Sequence, residues 1–540
     1  MSLGGIGEIG ANCYLYCCDG KWIMIDLGIS FADEKYPGID VLAPKIDFVD
    51  QIKDNLEAVI ISHGHEDHAG ALGYFIEKIK CPIYATGFAN SLLKRKLKEF
   101  KKSDLNEIKI INPKKNIKLN NFILNFISTT HSIPECYSIV ITTKYGKLLH
   151  TADWKIDPNP LIGDNFDITS LEKLSNDGLL ALIGDSTNAD IPGHSKSESD
   201  VRNELTKIFS RYDKRIVTTC FSSNIARIES IAFAAQKNKR KVLLVGRSIK
   251  RTIEAAKENG YLKNTNNFIT EEEASFIPRE NLVIICTGSQ GEKRSALYRI
   301  AYSSHENIHL EGGDIVIFSS KDIPGNEKSI INLQNLLIRQ KVEVITSNEE
   351  LVHASGHGHA EEIKKMYQWT RPYIAIPIHG EPKHLVAHSK LAQSEQVPIT
   401  KILDNGLCYK IYPNEPEIYG KINTGKMIVE GKSIYSSESD FIKKRRKYSF
   451  DGIVIVTIII NIDGSLHKDI KITFHGLPID ENQEIEISFK ESFMNKYITL
   501  NNDKKSSDII LSDLVKGVIR QLIKTKIGKK PEVCTHIIRL

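Results

Sequence analysis

His63-Gly64-His65-Glu66-Asp67-His68 packs three imidazoles and the Asp67 carboxylate into six residues. It follows directly on the apolar run Ala58-Val59-Ile60-Ile61-Ser62, which reads as a short strand, and it precedes residues 69–80, whose apolar spacing predicts a helix. The cluster therefore sits at a strand-to-helix junction. Neutral imidazole and carboxylate are preferred donors for zinc and related borderline metals, and a loop lets alternate side chains turn toward one centre. The plain alternative is a solvated polar turn, which accounts neither for the buried strand leading in nor for distant companions of the same type.

Those companions are His131 in Thr130-His131-Ser132-Ile133-Pro134, Asp153 in His150-Thr151-Ala152-Asp153, and His379 in Pro377-Ile378-His379-Gly380. Each alone reads as a cap or a satisfied polar group. With the first cluster they make seven donors, enough for two metals with water between them. Two cations a few ångströms apart activate water and stabilise both the attacking and the leaving oxygen of an in-line phosphoryl displacement, which is hydrolase chemistry.

Outward from the cluster, residues 12–17 and 22–26 alternate as strands around Asp19-Gly20 and predict a β-hairpin. Residues 122–127, 138–142 and 148–151 also read as strands, and candidate ligands follow two of them. Near Ser195 the pattern changes. Strands at 216–221, 242–246, 282–287, 314–319 and 342–346 alternate with helical stretches, which predicts a parallel sheet with right-handed crossovers. These strands end in small or polar residues, at the carboxyl ends where such sheets bind ligands. Beyond His379 a strand and helix close the first domain, and Lys443-Lys444-Arg445-Arg446-Lys447 flanks a linker. The expected division is 1–195 and 351–410 for a first domain, 196–350 for an inserted domain, 411–450 for the linker and 451–540 for a small C-terminal α/β domain.

Composition agrees with several packed domains. At 540 residues the chain suggests about three or four. Its 41% hydrophobic, 8% aromatic and 26% charged content excludes wholesale disorder, collagen-like repeats and coiled coil. The net charge of +5, from 72 Lys+Arg against 67 Asp+Glu, means that any polyanion site is local. Nine cysteines, with no Cys-x-x-Cys, argue against a disulfide framework and a thiolate zinc ribbon, and suit a reducing cytoplasmic setting. No export signal is expected from Met1-Ser2-Leu3-Gly4-Gly5. The longest apolar run, residues 453–462, is far short of the ~20 needed to cross a bilayer, and its β-branched content reads as a buried strand.

In order along the chain, Leu3-Gly4-Gly5-Ile6-Gly7-Glu8-Ile9-Gly10, the His63–His68 cluster, Thr130 to Pro134 and His150 to Asp153 resemble the metallo-β-lactamase fold, an αββα sandwich. The 226 positions between Asp153 and His379 exceed what a compact member of that superfamily needs, so a whole domain is inserted between two ligands of one site. That insertion, with Gly184-Asp185-Ser186-Thr187 before it and His353-Ala354-Ser355-Gly356-His357 and Pro377-Ile378-His379-Gly380-Glu381 closing it, resembles the β-CASP nucleases. Within them the resemblance is to the ribonuclease J family. It extends over nearly the whole chain, through Phe221-Ser222-Ser223-Asn224, Gly246-Arg247-Ser248, Cys286-Thr287-Gly288-Ser289-Gln290-Gly291 and Pro324-Gly325-Asn326. One departure is the start, where the family carries a first strand ahead of the glycine-rich segment and this chain has almost nothing. The outer edge of the first sheet is therefore expected to be short or unpaired.

The resemblance implies one metal held by His63, His65 and His131, and another by Asp67, His68 and His379, with Asp153 bridging. The ions implied are two divalent cations, zinc first, with manganese or magnesium as alternatives. Asp185 would orient His357, which is of a type to protonate a leaving oxygen; its plain alternative is a strand-end cap. His353, Ala354, Ser355, Gly356 and His357 would hold the RNA phosphate chain. Ser223 and Asn224, at the start of a predicted helix toward Arg227, suit a second phosphate that anchors a 5′-monophosphate end, with ordinary N-capping as the alternative.

Gly5 to Gly10 also satisfies a dinucleotide-binding pattern, with Asp26 as a ribose-binding acid. Its context fails, because no strand fits before Gly5 and residues 11–18 read as strand rather than helix. His359, His384 and His388 read as surface groups ahead of partners that hold the ligands from behind, and Lys94-Arg95-Lys96 and Lys443 to Lys447 as solvated charged faces ahead of patches that guide RNA by phosphate attraction. The activity implied is 5′-to-3′ exonucleolytic and endonucleolytic cleavage of single-stranded RNA, preferably 5′-monophosphorylated, in RNA maturation and decay. A homodimer or tetramer, partners in an RNA-degradation complex and no membrane association are expected with it. The alternatives are a β-CASP nuclease acting on DNA and a catalytically idle RNA-binding scaffold.

Overall fold

A computed structural model describes residues 1–540 apart from 103–106, 264, 266–267, 324, 414–415, 468–469 and 480–482; Pro324 of the Pro324-Gly325-Asn326 motif thus lies outside the described residues. The chain divides into two units, 1–31 with 41–434, and 32–40 with 435–540.

The first unit contains two sheets packed face to face. In one, Ser2–Gly4, Cys13–Cys18, Lys21–Ile25, Leu56–Ile61, Ile83–Ala85 and Ile108–Ile110 lie in that order. The expected hairpin is there: Cys13–Cys18 pairs antiparallel with Lys21–Ile25, and Asp19 and Gly20 both take positive φ, the conformation of a tight two-residue turn. In the other sheet, strands from Ile117–Lys118 to Ile123–Thr129, Cys136–Thr143 and Gly146–His150 run antiparallel. Leu179–Asp185, Ile374–Ile378 and Ile399–Thr400 then continue it in parallel. Because strand side chains alternate between faces, Ile23, Ile25 and Ile60 meet Ile139, Ile141, Ile183 and Ile376 in the interior between the sheets. On the outer faces, Met24, Val59 and Ile61 pack on Leu72, Phe75 and Leu93, and Leu149, Leu182 and Ala375 on Leu171, Ile363 and Met366. This is the αββα sandwich that the resemblance implied.

Between Asp185 and Ile374 the chain builds the expected parallel sheet, in the order Phe268–Ile269, Lys241–Val245, Leu282–Cys286, Ile216–Thr219, Ile315–Phe318 and Glu343–Ile345. Both faces are covered. Val283 and Ile285 pack under the helices carrying Leu205 and Ile228, while Ile284 and Cys286 face those carrying Leu297 and Leu333, which is why these strands read as unbroken apolar runs.

The second unit has a mixed sheet, with Ile453–Ile460 antiparallel to Lys471–His475 and parallel to Glu532–Arg539. Helices Gln483–Ile498 and Asp508–Ile527 supply Phe489, Phe493, Val515 and Ile519 to its core.

Several expectations are corrected. Ser2–Gly4 is a strand ahead of Gly5, paired with Cys13–Cys18, so the sheet edge is short but not unpaired. The dinucleotide pattern still fails, because a strand and not a helix follows it. Residues 69–80 form no continuous helix but the short pieces Glu66–Ala69, Leu72–Phe75 and Ile76–Lys78. The polar cluster itself starts this irregular turn, which is clamped from outside. Residues 411–450 are not a bare linker: they hold strands Glu417–Lys421, Lys426–Glu430 and Ser433–Ser436, and the basic run lies within helix Asp440–Asp451. Ile453–Ile460 buries alternate residues only, Val454, Val456, Ile458 and Ile460. His384 and His388 are buried rather than on the surface; His388 lies between Ser186 Oγ at 2.8 Å and Tyr367 Oη at 2.7 Å. Among the described residues no helix is long and apolar enough to cross a membrane.

Candidate metal centre

Parallel strands bring their carboxyl ends to one edge, and the site is built there from both sheets of the sandwich. Lys21–Ile25 and Leu56–Ile61 are parallel neighbours, so Asp26 and His63 emerge side by side. Across the interior, Gly146–His150, Leu179–Asp185 and Ile374–Ile378 are also parallel neighbours, delivering Asp153, Asp185 and His379.

The backbone of the His63–His68 turn is clamped. Leu27 N donates to His68 O at 2.8 Å, Ile29 N to Glu66 O at 3.0 Å and Asn12 N to Asp67 O at 3.0 Å. The approach is so close that a Cβ on Gly28 would lie 1.6 Å from Asp67 O, so only glycine fits there.

All seven expected donors converge. His63 Nε2 and His131 Nε2 each lie 3.0 Å from His65 Nδ1. The second set is Asp67 Oδ2, His68 Nε2 and His379 Nε2: Asp67 Oδ2 stands 3.5 Å from His68 Nε2 and 3.3 Å from His379 Nε2. Asp153 Oδ2 is common to both, 3.7 Å from His131 Nε2, 3.9 Å from His63 Nε2 and 3.1 Å from His68 Nε2.

These side chains fit divalent ions. Tetrahedral ligands ~2.0–2.1 Å from zinc stand roughly 3.3 Å apart, close to the separations within the first set. With His63 and His131 donating outward from Nδ1, at most one proton, on His65 Nδ1, is shared among three nitrogens that face one another, and His379 Nε2 is buried without a hydrogen-bond partner. A cation among them answers both.

The outer nitrogens are held, which turns the inner ones toward the centre. Asp26 Oδ2 accepts from His68 Nδ1 at 2.7 Å and from Ser62 Oγ at 2.8 Å, and Ser62 Oγ in turn accepts from His63 Nδ1 at 3.0 Å. His131 Nδ1 donates to Gly356 O; a Cβ on Gly356 would lie 2.5 Å from the His131 ring. Asp26, Ser62 and Asn12, whose Nδ2 is 3.1 Å from His68 Nε2, were not identified as site residues from sequence. Asp26 did end a strand, but nothing local tied it to His68, 42 positions on. Replacing Asp26 with alanine should weaken metal affinity about 10–100-fold, the usual effect of losing such a partner, measured by competition with a chelator.

Charge is unevenly placed. Burial, reinforced by neighbouring imidazoles, holds His63 and His131 well below the usual histidine range, and burial brings His65 down to about 4. These three stay neutral, the form that binds metal. In the second set burial is outweighed. Asp153, Asp67 and Asp26 raise His68, and Asp153 above all raises His379, to about 10. Burial likewise fails to lift Asp67 and Asp153, which His68 and His379 keep well below the carboxylate range. The carboxylates of this half thus create a strong demand for positive charge.

Beside the donors, His357 Nδ1 contacts Asp185 Oδ2 at 2.7 Å and stands 3.9 Å from Asp153 Oδ2. Burial would lower His357, but Asp185 and Asp153 raise it. Asp185 Oδ1 also accepts from Thr187 N and Oγ1, at 2.9 and 2.7 Å. Ser355 Oγ accepts from Asn188 Nδ2 at 2.7 Å and from His357 N at 3.1 Å, and Ala354 is buried. Burial, with Arg227, Lys155 and Lys321 nearby, keeps His353 well below the usual histidine range. Asn224 caps helix Ile225–Lys237, its Oδ1 accepting from Arg227 N at 2.9 Å. The plain N-cap reading therefore describes the Asn224 side chain; Ser223 precedes it, partly exposed.

An αββα sandwich with its donors at the strand ends, and a parallel sheet inserted before the last of them, defines a metallo-β-lactamase-superfamily hydrolase of β-CASP type. Family models match accordingly: the metallo-beta-lactamase superfamily over residues 6–164, the ribonuclease J beta-CASP domain over 213–337, a Zn-dependent metallo-hydrolase RNA specificity domain over 341–400 and the ribonuclease J C-terminal domain over 440–540. Ribonuclease J of Sinorhizobium meliloti is 37% identical over 100% of this chain and 97% of its own, and ribonuclease J of Thermus thermophilus 35% identical over 86% and 82%. A crystal structure of a protein of unknown function from Enterococcus faecalis shares the fold, with a TM-score of 0.52 at 16% identity over 75% of this chain and 97% of that one. The chain belongs to the ribonuclease J family.

Proposed function

We propose that this protein is a two-metal ribonuclease that cleaves single-stranded RNA, exonucleolytically from a 5′-monophosphorylated end and also endonucleolytically, in RNA maturation and decay. The observation that carries the reading is the position of Asp153 Oδ2, within 3.9 Å of nitrogens from both donor sets and of His357 Nδ1. His63, His65 and His131 would hold one divalent ion, Asp67, His68 and His379 the other, and Asp153 both; zinc suits the imidazole-rich set, with manganese or magnesium as alternatives. Such a pair supplies Lewis-acid activation of water and neutralises charge on the phosphoryl group.

The chain's own residues do the rest. Asp185 holds the Nδ1 proton of His357, leaving Nε2 to carry a proton to the leaving oxygen. Ser355 and His353 line the path of the phosphate chain, and the 5′-monophosphate is anchored near Ser223 and Asn224. Since the Asn224 side chain is engaged with Arg227 N, that anchor depends on Ser223 and backbone amides. A homodimer or tetramer in the cytoplasm, within an RNA-degradation complex, completes the reading.

The test is incubation of the metal-loaded protein with 5′-monophosphorylated RNA, the same RNA with a 5′-triphosphate, and single-stranded DNA, with metal analysis of the protein as isolated. The expected result is processive shortening of the monophosphate substrate and slower internal cutting of the triphosphate one. Cleavage of DNA alone, or of nothing, overturns the reading.

A further inference from the structure

Arg227 is fully enclosed, with none of its side chain exposed, yet it carries a charge. Its Nε and Nη2 donate to the two oxygens of Glu198, at 2.6 and 2.9 Å. The two N–H of Nη1 are shared among Ser319 O and Oγ, both at 2.8 Å, and Val352 O at 2.9 Å, with His353 Nδ1 farther off at 3.4 Å. Ser319 Oγ itself donates to Val352 O at 2.7 Å.

A buried ion pair is weak support for stability, because well-packed apolar residues commonly do as well. What this pair provides is location. It ties helices Glu198–Arg211 and Ile225–Lys237 and the end of strand Ile315–Phe318 to residues 352 and 353. Residues 352–359 are neither helix nor strand, so no ladder of backbone bonds fixes them. Farther along, Asn188 holds Ser355 Oγ and His357 O, and Gly358 N donates to Trp154 O. Arg227, together with Ser319 Oγ, is the tie at the leading end. A guanidinium only donates, so where Nη1 meets His353 Nδ1, at 3.4 Å, the imidazole nitrogen is on the accepting side, which favours a proton on Nε2.

We propose that Arg227 is a positioning residue for cleavage. Its buried guanidinium holds residues 352 and 353 and biases His353 toward the Nε2–H tautomer, and so sets the start of the segment that carries Ser355 and His357 to the RNA and to Asp185. The proposal rests on the nuclease reading above and extends it to a residue whose hydrogen bonds reach no metal ligand.

Two variants test it. Arg227→Lys keeps the charge and loses the fork; Ser319→Ala removes one hydroxyl from the same junction. With circular dichroism and metal content as in wild type, Arg227→Lys should lower kcat on 5′-monophosphorylated RNA about 10–100-fold with KM nearly unchanged, since small misplacements near reacting groups cost up to about 10²-fold. Ser319→Ala should show a smaller fall of the same kind. Long-range ¹H–¹⁵N spectra of the histidine-labelled, metal-free protein should show His353 protonated at Nε2 in wild type and a tautomer mixture in Arg227→Lys. A folded Arg227→Lys with wild-type kcat and an unaltered His353 signal overturns the proposal. If that variant does not fold, Ser319→Ala decides by the same readouts: unchanged kcat and His353 signal overturn it, and lowered kcat at constant KM upholds it. A wild type that turns over no RNA instead sinks the nuclease reading, and the substrate-free spectra keep the two failures apart.

Discussion

Replacing Asp153 with alanine should abolish RNA cleavage, by about three orders of magnitude or more, with the fold intact. Its Oδ2 belongs to both donor sets, 3.1 Å from His68 Nε2 and 3.7 Å from His131 Nε2, and its Oδ1 contacts His379 Nδ1 at 2.8 Å. In the proposed two-ion reading one substitution therefore weakens both sites, and Lewis-acid stabilisation of a phosphoryl displacement is worth several kcal/mol, each ~1.4 kcal/mol being tenfold in rate. Asp153 lies at the inner end of the site rather than among the apolar side chains between the sheets, so circular dichroism should match wild type. Metal per chain, measured by mass spectrometry, should fall along with activity. Turnover within tenfold of wild type would remove Asp153 from the centre.

His357→Ala should lower kcat about 10²–10⁴-fold, the range for loss of a positioned acid, while metal content stays at the wild-type level. That contrast with Asp153→Ala separates proton delivery from ion binding. Asp185→Asn should fall between wild type and His357→Ala, and it carries a pH signature. Asp185 raises His357, and an acid is active only below its own pKa. The activity is thus lost as pH rises through the raised value. Removing the carboxylate lowers that value, so the alkaline limb of kcat should move to lower pH. A limb that stays in place would assign the proton to another group.

Much of this centre was legible in the chain itself, because metal chemistry restricts ligand types and four of the seven donors lie in one six-residue turn. The three distant donors were legible only together, by their ligand type and by the motifs that resemble the family, with His131 and Asp153 also following predicted strands. The inserted sheet was readable from strands buried on both faces, such as Leu282–Cys286, whose apolar runs need no partner to be recognised. Residues 69–80 were misread because apolar spacing does not register a turn held by outside bonds, here from Leu27, Ile29 and Asn12. His384 and His388 were misread because a polar side chain satisfied in the interior looks, in sequence, like one satisfied by water.

By itself the sequence determined which residue types are available to metal ions, the alternating strands and helices of the inserted sheet and the separation of the last candidate ligand by a whole domain, while the sandwich followed from the family it resembles. Only the tertiary structure decided which nitrogen of each imidazole faces inward, since that depends on Asp26 for His68 and on Gly356, 225 positions away, for His131. It alone also assigned Asn224 to a helix cap and Arg227 to a junction with Glu198, Ser319 and Val352. The physical reason is the same throughout. Donor chemistry and strand periodicity are local properties of the chain, whereas the direction of a hydrogen bond, and hence the site of a proton, is set by whatever group the fold brings to the other side.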